Sequence, residues 1–234
     1  MFLTAEWRWL AMLNYEVDPA LLRDLVPDGT TLDRWNDKVF LSLVGFRFLD
    51  TKILGVPIPF HRNFDEVNLR FYVRREPCAE VRRGVVFIRE IVPRLAIATV
   101  ARMVYNENYV SFPMSHRLLE SPNQRDVEYG WCTKHGQCKI TLTASGEPAV
   151  PPAGSEEQFV TEHYWGYVKQ RDGATVEYRV EHPPWKVWRA ELSNFVGETE
   201  HLYGRELGAV LKGSPSSAFL AEGSPVIVHR GRRI

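Results

Sequence analysis

The sequence predicts a mainly β protein: a curled or closed antiparallel sheet with a few peripheral helices, in one domain over residues 1–234. Three observations predict this class. Apolar and polar side chains alternate along residues 64–74, which is typical of a strand with two unlike faces. Roughly nine segments have strand character, separated by turn residues. No internal repeat is present, and the Pro-rich segment 147–154 is too short to separate two domains.

The amino-terminal half supplies four strands and two helices. The strands are predicted at residues 7–17, 38–48, 64–74 and 84–92. Asp18 followed by Pro19 predicts the start of a helix over residues 20–26. An Ala-rich segment predicts a second helix at 95–105. Residues 50–63 and 106–113 are predicted to be loops.

The carboxyl-terminal half is predicted to contain six strands and one helix. The strands are expected at residues 128–132, 137–144, 158–169, 175–180, 186–192 and 225–230. Arg171-Asp172-Gly173 is expected to form a hairpin turn. Apolar residues at helical spacing predict a helix over residues 200–212, which Gly213 ends.

Composition excludes several classes of function. The chain carries 29 basic and 29 acidic residues, so neither nucleic acid nor an anionic membrane surface is an expected partner. No apolar run is long enough to cross a membrane, and charges near the first residue argue against a secretory leader. Three cysteines leave one unpaired, which favours a reducing cytoplasm. No metal site and no cofactor are expected, because zinc, phosphate-loop and nucleophile-elbow motifs are all missing.

The polar face of the 64–74 strand is the first candidate site. Glu66, Asn68 and Arg70 share this face, and each is about 6.8 Å along the strand from the next. An acid, an amide and a guanidinium are the groups of a recognition surface. If they enclose empty space, they predict a pocket for a small molecule, because each buried charge needs a partner or a ligand. The alternative is an exposed face or a sealed network of ion pairs.

Two histidines with aromatic neighbours form the second candidate site. His163 and Trp165 are two residues apart and would share one strand face. His182 precedes Pro183 and Pro184, which end a strand, so it is expected at a pocket mouth. Histidine titrates near neutral pH and can act as an acid or base. The alternatives are a hydrogen-bonded core histidine and a structural corner.

Several long strings resemble a known family. Asn68-Leu69-Arg70-Phe71-Tyr72-Val73-Arg74 and Glu162-His163-Tyr164-Trp165-Gly166-Tyr167 are similar to strings of the YqjF-like uncharacterised bacterial family. That family is grouped with acetoacetate decarboxylase, whose order of landmarks the chain also resembles over roughly residues 5–230. The resemblance implies a closed, cone-shaped antiparallel β-structure around a buried cavity.

The same resemblance implies that the decarboxylase chemistry is absent. Acetoacetate decarboxylase uses a Schiff-base lysine directly after a Phe/Tyr-Pro dipeptide. Here Phe112-Pro113 is followed by Met114, and a thioether cannot form an imine. Met114 is therefore expected to occupy the position of the nucleophile, and decarboxylation of acetoacetate is not expected.

These observations together predict a small-molecule-binding protein, or an enzyme of unassigned reaction, with a cavity that is polar at one end and aromatic at the other. Its ligand is expected to be a small organic carboxylate or carbonyl compound bound by Arg70. The predicted ligand-binding residues are Glu66, Asn68, Arg70, Met114, His163, Trp165 and His182, and the catalytic candidates among them are Glu66, His163 and His182. The alternative is a non-catalytic structural or interaction protein, a homodimer whose polar strand face is a sealed ion-pair network. A homo-oligomer is compatible with either function.

Overall fold

The computed structural model describes residues 1–57, 59–77, 80–94 and 108–234. The strands of these residues are β1 (Leu3–Glu16), β2 (Thr31–Leu32), β3 (Phe40–Ile53), β4 (Val56–Pro57), β5 (Phe64–Arg75), β6 (Arg82–Val92), β7 (Tyr109–Ser111), β8 (Met114–Glu120), β9 (Gln124–Thr133), β10 (Gly136–Ser145), β11 (Trp165–Lys169), β12 (Thr175–Glu181), β13 (Val187–Val196), β14 (Ser217–Val228) and β15 (Arg232–Arg233). The helices are a 3₁₀ helix (Pro19–Leu25), α1 (Glu156–Thr161), α2 (Glu200–Tyr203) and α3 (Arg205–Lys212).

Seven strands form a closed ring in the order β12-β11-β6-β5-β3-β1-β14, because β12 pairs on its other side with β14. All of these pairings are antiparallel except β11 with β6. From β14 the sheet continues through β13, β10, β9 and β8. The prediction of a mainly β fold with a closed sheet is confirmed.

Strand β5 has two unlike faces, as its alternation predicts, and both faces are buried from Phe64 to Val73. Its apolar row packs in a core with residues of β9 and β10, among them Tyr129 and Ile140. Its polar row faces the inside of the ring, because Phe46 and Val44 of β3 lie directly opposite Glu66 and Asn68.

A second buried glutamate joins the end of the chain to the ring. The side chain of Glu177 on β12 is fully buried and accepts hydrogen bonds from Arg75, Arg82 and Arg232. Arg232 belongs to β15, which pairs with β12. Three guanidinium groups bond to this carboxylate, and their charges offset the cost of burying it.

The predicted strand at 158–169 is wrong in its first part. Residues Glu156–Thr161 form α1, and only Trp165–Lys169 form a strand. The Ser155 side chain accepts a hydrogen bond from the backbone N–H of Gln158, which is the capping arrangement that starts helices. The sequence Ser-Glu-Glu-Gln carries this signal, and it outweighs the β-propensity of the residues that follow.

Other predicted elements differ in their extent. The helix expected over 200–212 is two helices, which meet at Gly204 with φ = 81°, a left-handed conformation that breaks the helix. The last long strand begins at Ser217 rather than at residue 225. Short strands occupy parts of both predicted loops: β4 lies within 50–63 and β7 within 106–113. The helix predicted at 95–105 lies outside the described residues. Within those residues, we find no helix with the length and apolar character needed to span a membrane.

Candidate functional site

A cavity of about 190 Å³ lies inside the ring of strands. Six of the seven predicted ligand-binding residues line it: Glu66, Asn68, Arg70, His163, Trp165 and His182. They come from β5, from β11 and the residues before it, and from the end of β12. The closed ring brings together segments that are 100 residues apart in sequence.

Aromatic side chains form a large part of the cavity wall. Those on the ring strands include Trp7, Phe46, Phe48, Phe64, Phe87, Trp165 and Tyr178. Trp7 packs edge-on against Phe46 and Phe48, with ring centroids 5.6 and 5.7 Å apart. The cavity is therefore apolar over most of its surface, with a small set of polar groups, as small-molecule sites commonly are.

The polar end of the cavity is organised around Glu66. The Asn68 amide donates to Glu66 Oε1 at 3.1 Å, and the Tyr109 hydroxyl donates to Glu66 Oε2 at 3.2 Å. Glu90 of β6 lies opposite Asn68 and also lines the cavity. The carboxylate of Glu66 is thus held by Asn68 of the same strand and by Tyr109 of β7.

A β-bulge explains why Phe87 and Glu90 both line the cavity although they are three residues apart. Leu69 pairs with Arg89, whereas Arg70 pairs with Phe87, so Ile88 is an extra residue on β6. Such an insertion shifts the alternation of side chains by one position. Sequence alternation alone does not predict the bulge, and it does not identify Glu90 as a cavity residue.

Arg70 is the cationic side chain among the arginines and lysines of the described cavity lining. Only 8% of the residue is exposed, and its guanidinium lies 5.8 Å from the centroid of the Tyr72 ring. Within the described part of the chain no carboxylate forms a salt bridge with it, and its buried Nε has no hydrogen-bond partner. Burial of a guanidinium without a counter-charge is costly.

His163 lies between α1 and β11, and its side chain is 1% exposed. Its Nε2 lies 3.0 Å from Asp33 Oδ2, and the Arg83 Nε donates to the same oxygen at 2.7 Å. Burial lowers the pKa of His163 to about 4, since the carboxylate of Asp33 only partly offsets the loss of hydration. The hydrogen bonds from His163 and Arg83 lower the pKa of Asp33 to about 2, against the opposing effect of burial. His163 is neutral at pH 7.

His182 follows β12 directly, as the two prolines after it predict, and it is half-buried. Its Nδ1 lies 2.9 Å from the carbonyl oxygen of Pro183, and its ring stacks on Trp185 with centroids 4.2 Å apart. Burial lowers the pKa of His182 to about 4, and the positive charge of Arg70 lowers it further. His163 and His182 therefore act as neutral hydrogen-bonding groups at pH 7.

Met114 differs from the expected arrangement. It lies on β8, opposite Trp131, and packs against the core between the ring and the outer strands. It is absent from the described cavity lining, which also contains no lysine. Met114 was assigned to the site from its place after Phe112-Pro113, and the strand that carries it belongs to the outer part of the sheet.

Sequence reasoning missed several cavity residues, and it also missed Asp33. The additional polar lining residues among those described are Thr51, His61, Glu90, Tyr109 and Thr161. Asp33 interacts with residues that are 50 and 130 positions away, so no local pattern identifies it. Within the described ranges, no group of three or more His, Cys, Asp or Glu side chains is arranged to hold a metal ion.

The comparisons with known proteins agree with this architecture. Residues 4–225 match the DUF2071 family, described as "Uncharacterized conserved protein (COG2071)". The chain belongs to this family. The uncharacterized protein YqjF of Bacillus subtilis is 26% identical over 205 residues, which are 85% of this chain and 80% of YqjF.

Solved structures extend the likeness to the acetoacetate decarboxylase fold. The acetoacetate decarboxylase of Legionella pneumophila has a TM-score of 0.67 at 12% identity, covering 100% of this chain and 87% of the decarboxylase. The enduracididine biosynthesis enzyme MppR, complexed with pyruvate, has a TM-score of 0.69 at 12% identity, covering 100% of this chain and 90% of MppR. At this identity the likeness shows the fold alone.

Proposed function

We propose that this protein binds a small organic acid in the cavity of the ring, with the ligand carboxylate on Arg70. The observation that carries the proposal is the buried guanidinium without a counter-charge in the described residues. A planar guanidinium matches the two oxygens of a carboxylate, so a bound acid would supply both the missing charge and the missing acceptor. MppR, whose fold is similar, is described in complex with pyruvate, a small acid.

The volume of the cavity limits the size of the ligand. An engineered apolar cavity of about 150 Å³ in another protein holds benzene. The 190 Å³ cavity therefore suits a ligand of about six to ten non-hydrogen atoms. It is smaller than the roughly 300 Å³ of a drug-sized site, so the expected ligand is a metabolite with a short carbon skeleton.

The polar side chains suggest how the ligand would be held and what chemistry the site could perform. The ligand's apolar part would contact Trp165 and the other aromatic walls, and Glu66 would hydrogen-bond to it. His163 and His182, both neutral at pH 7, could accept a proton from it. Imine formation is not part of the proposal, because no lysine lies among the described lining residues.

Native mass spectrometry of the protein purified from its own host tests the proposal. We expect a retained non-covalent adduct with the mass of a small acid, which is released on denaturation. Arg70→Met should abolish retention, because it removes the charge while keeping a side chain of similar length. Arg74→Met is the matched control, because Arg74 lies on the same strand but is exposed and pairs with Glu76.

Three outcomes would contradict the proposal. They are the absence of any adduct in the wild-type protein, an adduct that Arg70→Met retains, and an adduct that the control variant loses equally. The first outcome would favour the alternative of a structural protein with a sealed polar face.

A further inference from the structure

Buried acceptors without a hydrogen-bond partner lie among the described residues that line the cavity. Asn68 donates through Nδ2 to Glu66, so its Oδ1 is the atom left over, and this buried oxygen has no hydrogen-bond partner. The residue is 1% exposed. An amide oxygen can only accept, so a ligand beside it would have to donate a hydrogen bond.

His163 presents a second acceptor. The carboxylate of Asp33 can only accept, so the His163 nitrogen that faces it, Nε2, carries the proton. Because the ring is neutral, Nδ1 is then an acceptor, and this buried atom also has no partner. The salt bridge from Arg83 to Asp33 holds the carboxylate in place and so fixes the tautomer of the histidine.

His182 presents a third acceptor by the same reasoning. Its Nδ1 faces the carbonyl oxygen of Pro183, which only accepts, so Nδ1 carries the proton. Nε2 is then an acceptor at the cavity. Two buried donors of the described lining also have no partner, Arg70 Nε and Trp7 Nε1.

We propose that the ligand is a small acid that also carries a hydrogen-bond donor, a hydroxyl or an ammonium group, rather than a keto acid. This inference rests on the proposed function and specifies its ligand. The carboxylate would bind Arg70, and the donor would bind Asn68 Oδ1, His163 Nδ1 or His182 Nε2. A keto group offers only acceptors, so it would leave all three protein acceptors unpaired, and burial of unpaired acceptors is unfavourable.

Four acids with the same carbon skeleton separate these ligand types. They are leucine, 2-hydroxy-4-methylpentanoate, 4-methyl-2-oxopentanoate and 4-methylpentanoate, with both enantiomers of the two chiral acids. Isothermal titration of the wild-type protein at pH 7.5 should show that the amino acid or the hydroxy acid binds at least tenfold more tightly than the keto acid and the unsubstituted acid. Whichever of the two binds more tightly identifies the donor as ammonium or hydroxyl.

Two variants remove one acceptor each. Asn68→Leu should reduce the tenfold preference to less than about threefold. His163→Phe is a second variant, which keeps the experiment decisive if Asn68→Leu does not fold. An unchanged preference in both variants would overturn the assignment of these acceptors.

The outcomes separate the inference from the proposed function. The wild-type protein could bind the keto acid as tightly as, or more tightly than, the amino acid and the hydroxy acid. If Arg70→Met then loses this binding, the inference is overturned and the carboxylate site stands. Binding of the probes that survives Arg70→Met would overturn the proposed function itself. Failure of all four acids to bind at about 10 mM would overturn the inference, and native mass spectrometry would then test the carboxylate site independently.

Discussion

The buried histidine at 163 makes a quantitative prediction for the dependence of stability on pH. Its pKa falls from 6.5 in the unfolded chain to about 4 in the folded protein. A lowered folded-state pKa means that protons bind more tightly to the unfolded state, so His163 destabilises the fold as pH falls from above 6.5 towards 4. At pH 5 the unfolded histidine is almost fully protonated while the folded one is mostly neutral. The free energy of unfolding lost between pH 7 and pH 5 from this residue is then about 2 kcal/mol.

His163→Gln tests this number, because the glutamine amide can still donate to Asp33 but cannot titrate. We expect urea unfolding to show that the free energy of unfolding falls between pH 7 and pH 5 by about 2 kcal/mol less in the variant than in the wild type. His182 is present in both proteins, so its own contribution cancels in the difference. His135→Gln, a change at an exposed histidine, should behave as the wild type does. Equal losses in His163→Gln and the wild type would refute the reasoning.

Three further predictions concern stability measured by urea unfolding. Arg70→Met should raise the free energy of unfolding of the ligand-free protein by about 1 kcal/mol or more, because it removes a buried unpaired charge, and a marked loss would show that Arg70 has a structural role. Glu177→Gln should cost about 3–5 kcal/mol, because it leaves three guanidinium groups without their carboxylate, and a change below 1 kcal/mol would contradict this. Gly166→Ala should cost about 1–3 kcal/mol, because a Cβ there would lie 2.1 Å from the Tyr178 ring, and an unchanged midpoint would mean that the ring moves freely.

The alternation of β5 explains why much of the site could be predicted from sequence. A strand whose apolar row enters a core must present its polar row to the other side, and in a closed ring that side is the interior. Glu66, Asn68 and Arg70 therefore line the cavity together. His182 was placed by a comparable local rule, since the prolines after it end the strand.

The missed parts of the site depend on contacts between distant segments. Asp33 acquires its role only through His163 and Arg83, and nothing near it in sequence marks that role. Glu90 faces the cavity because of a bulge at Ile88, which depends on the register between two strands. Met114 was placed by analogy of position after Phe112-Pro113, and the strand pairing of β8 carries it elsewhere. In contrast, α1 was foreseeable, because Ser155 and Gln158 form a helix-start signal that the sequence displays.

The ring closes through a short seam, and this has a consequence for how a molecule reaches the interior. Only two residue pairs join β12 to β14, Val180 with Val228 and Glu181 with Ile227, whereas β1 and β3 share eleven. Both valines of the seam line the cavity. Separating these two pairs exposes the interior while the longer pairings remain intact. Amide hydrogen exchange at these pairs should therefore be faster than in β1 and β3, and a bound ligand should slow it.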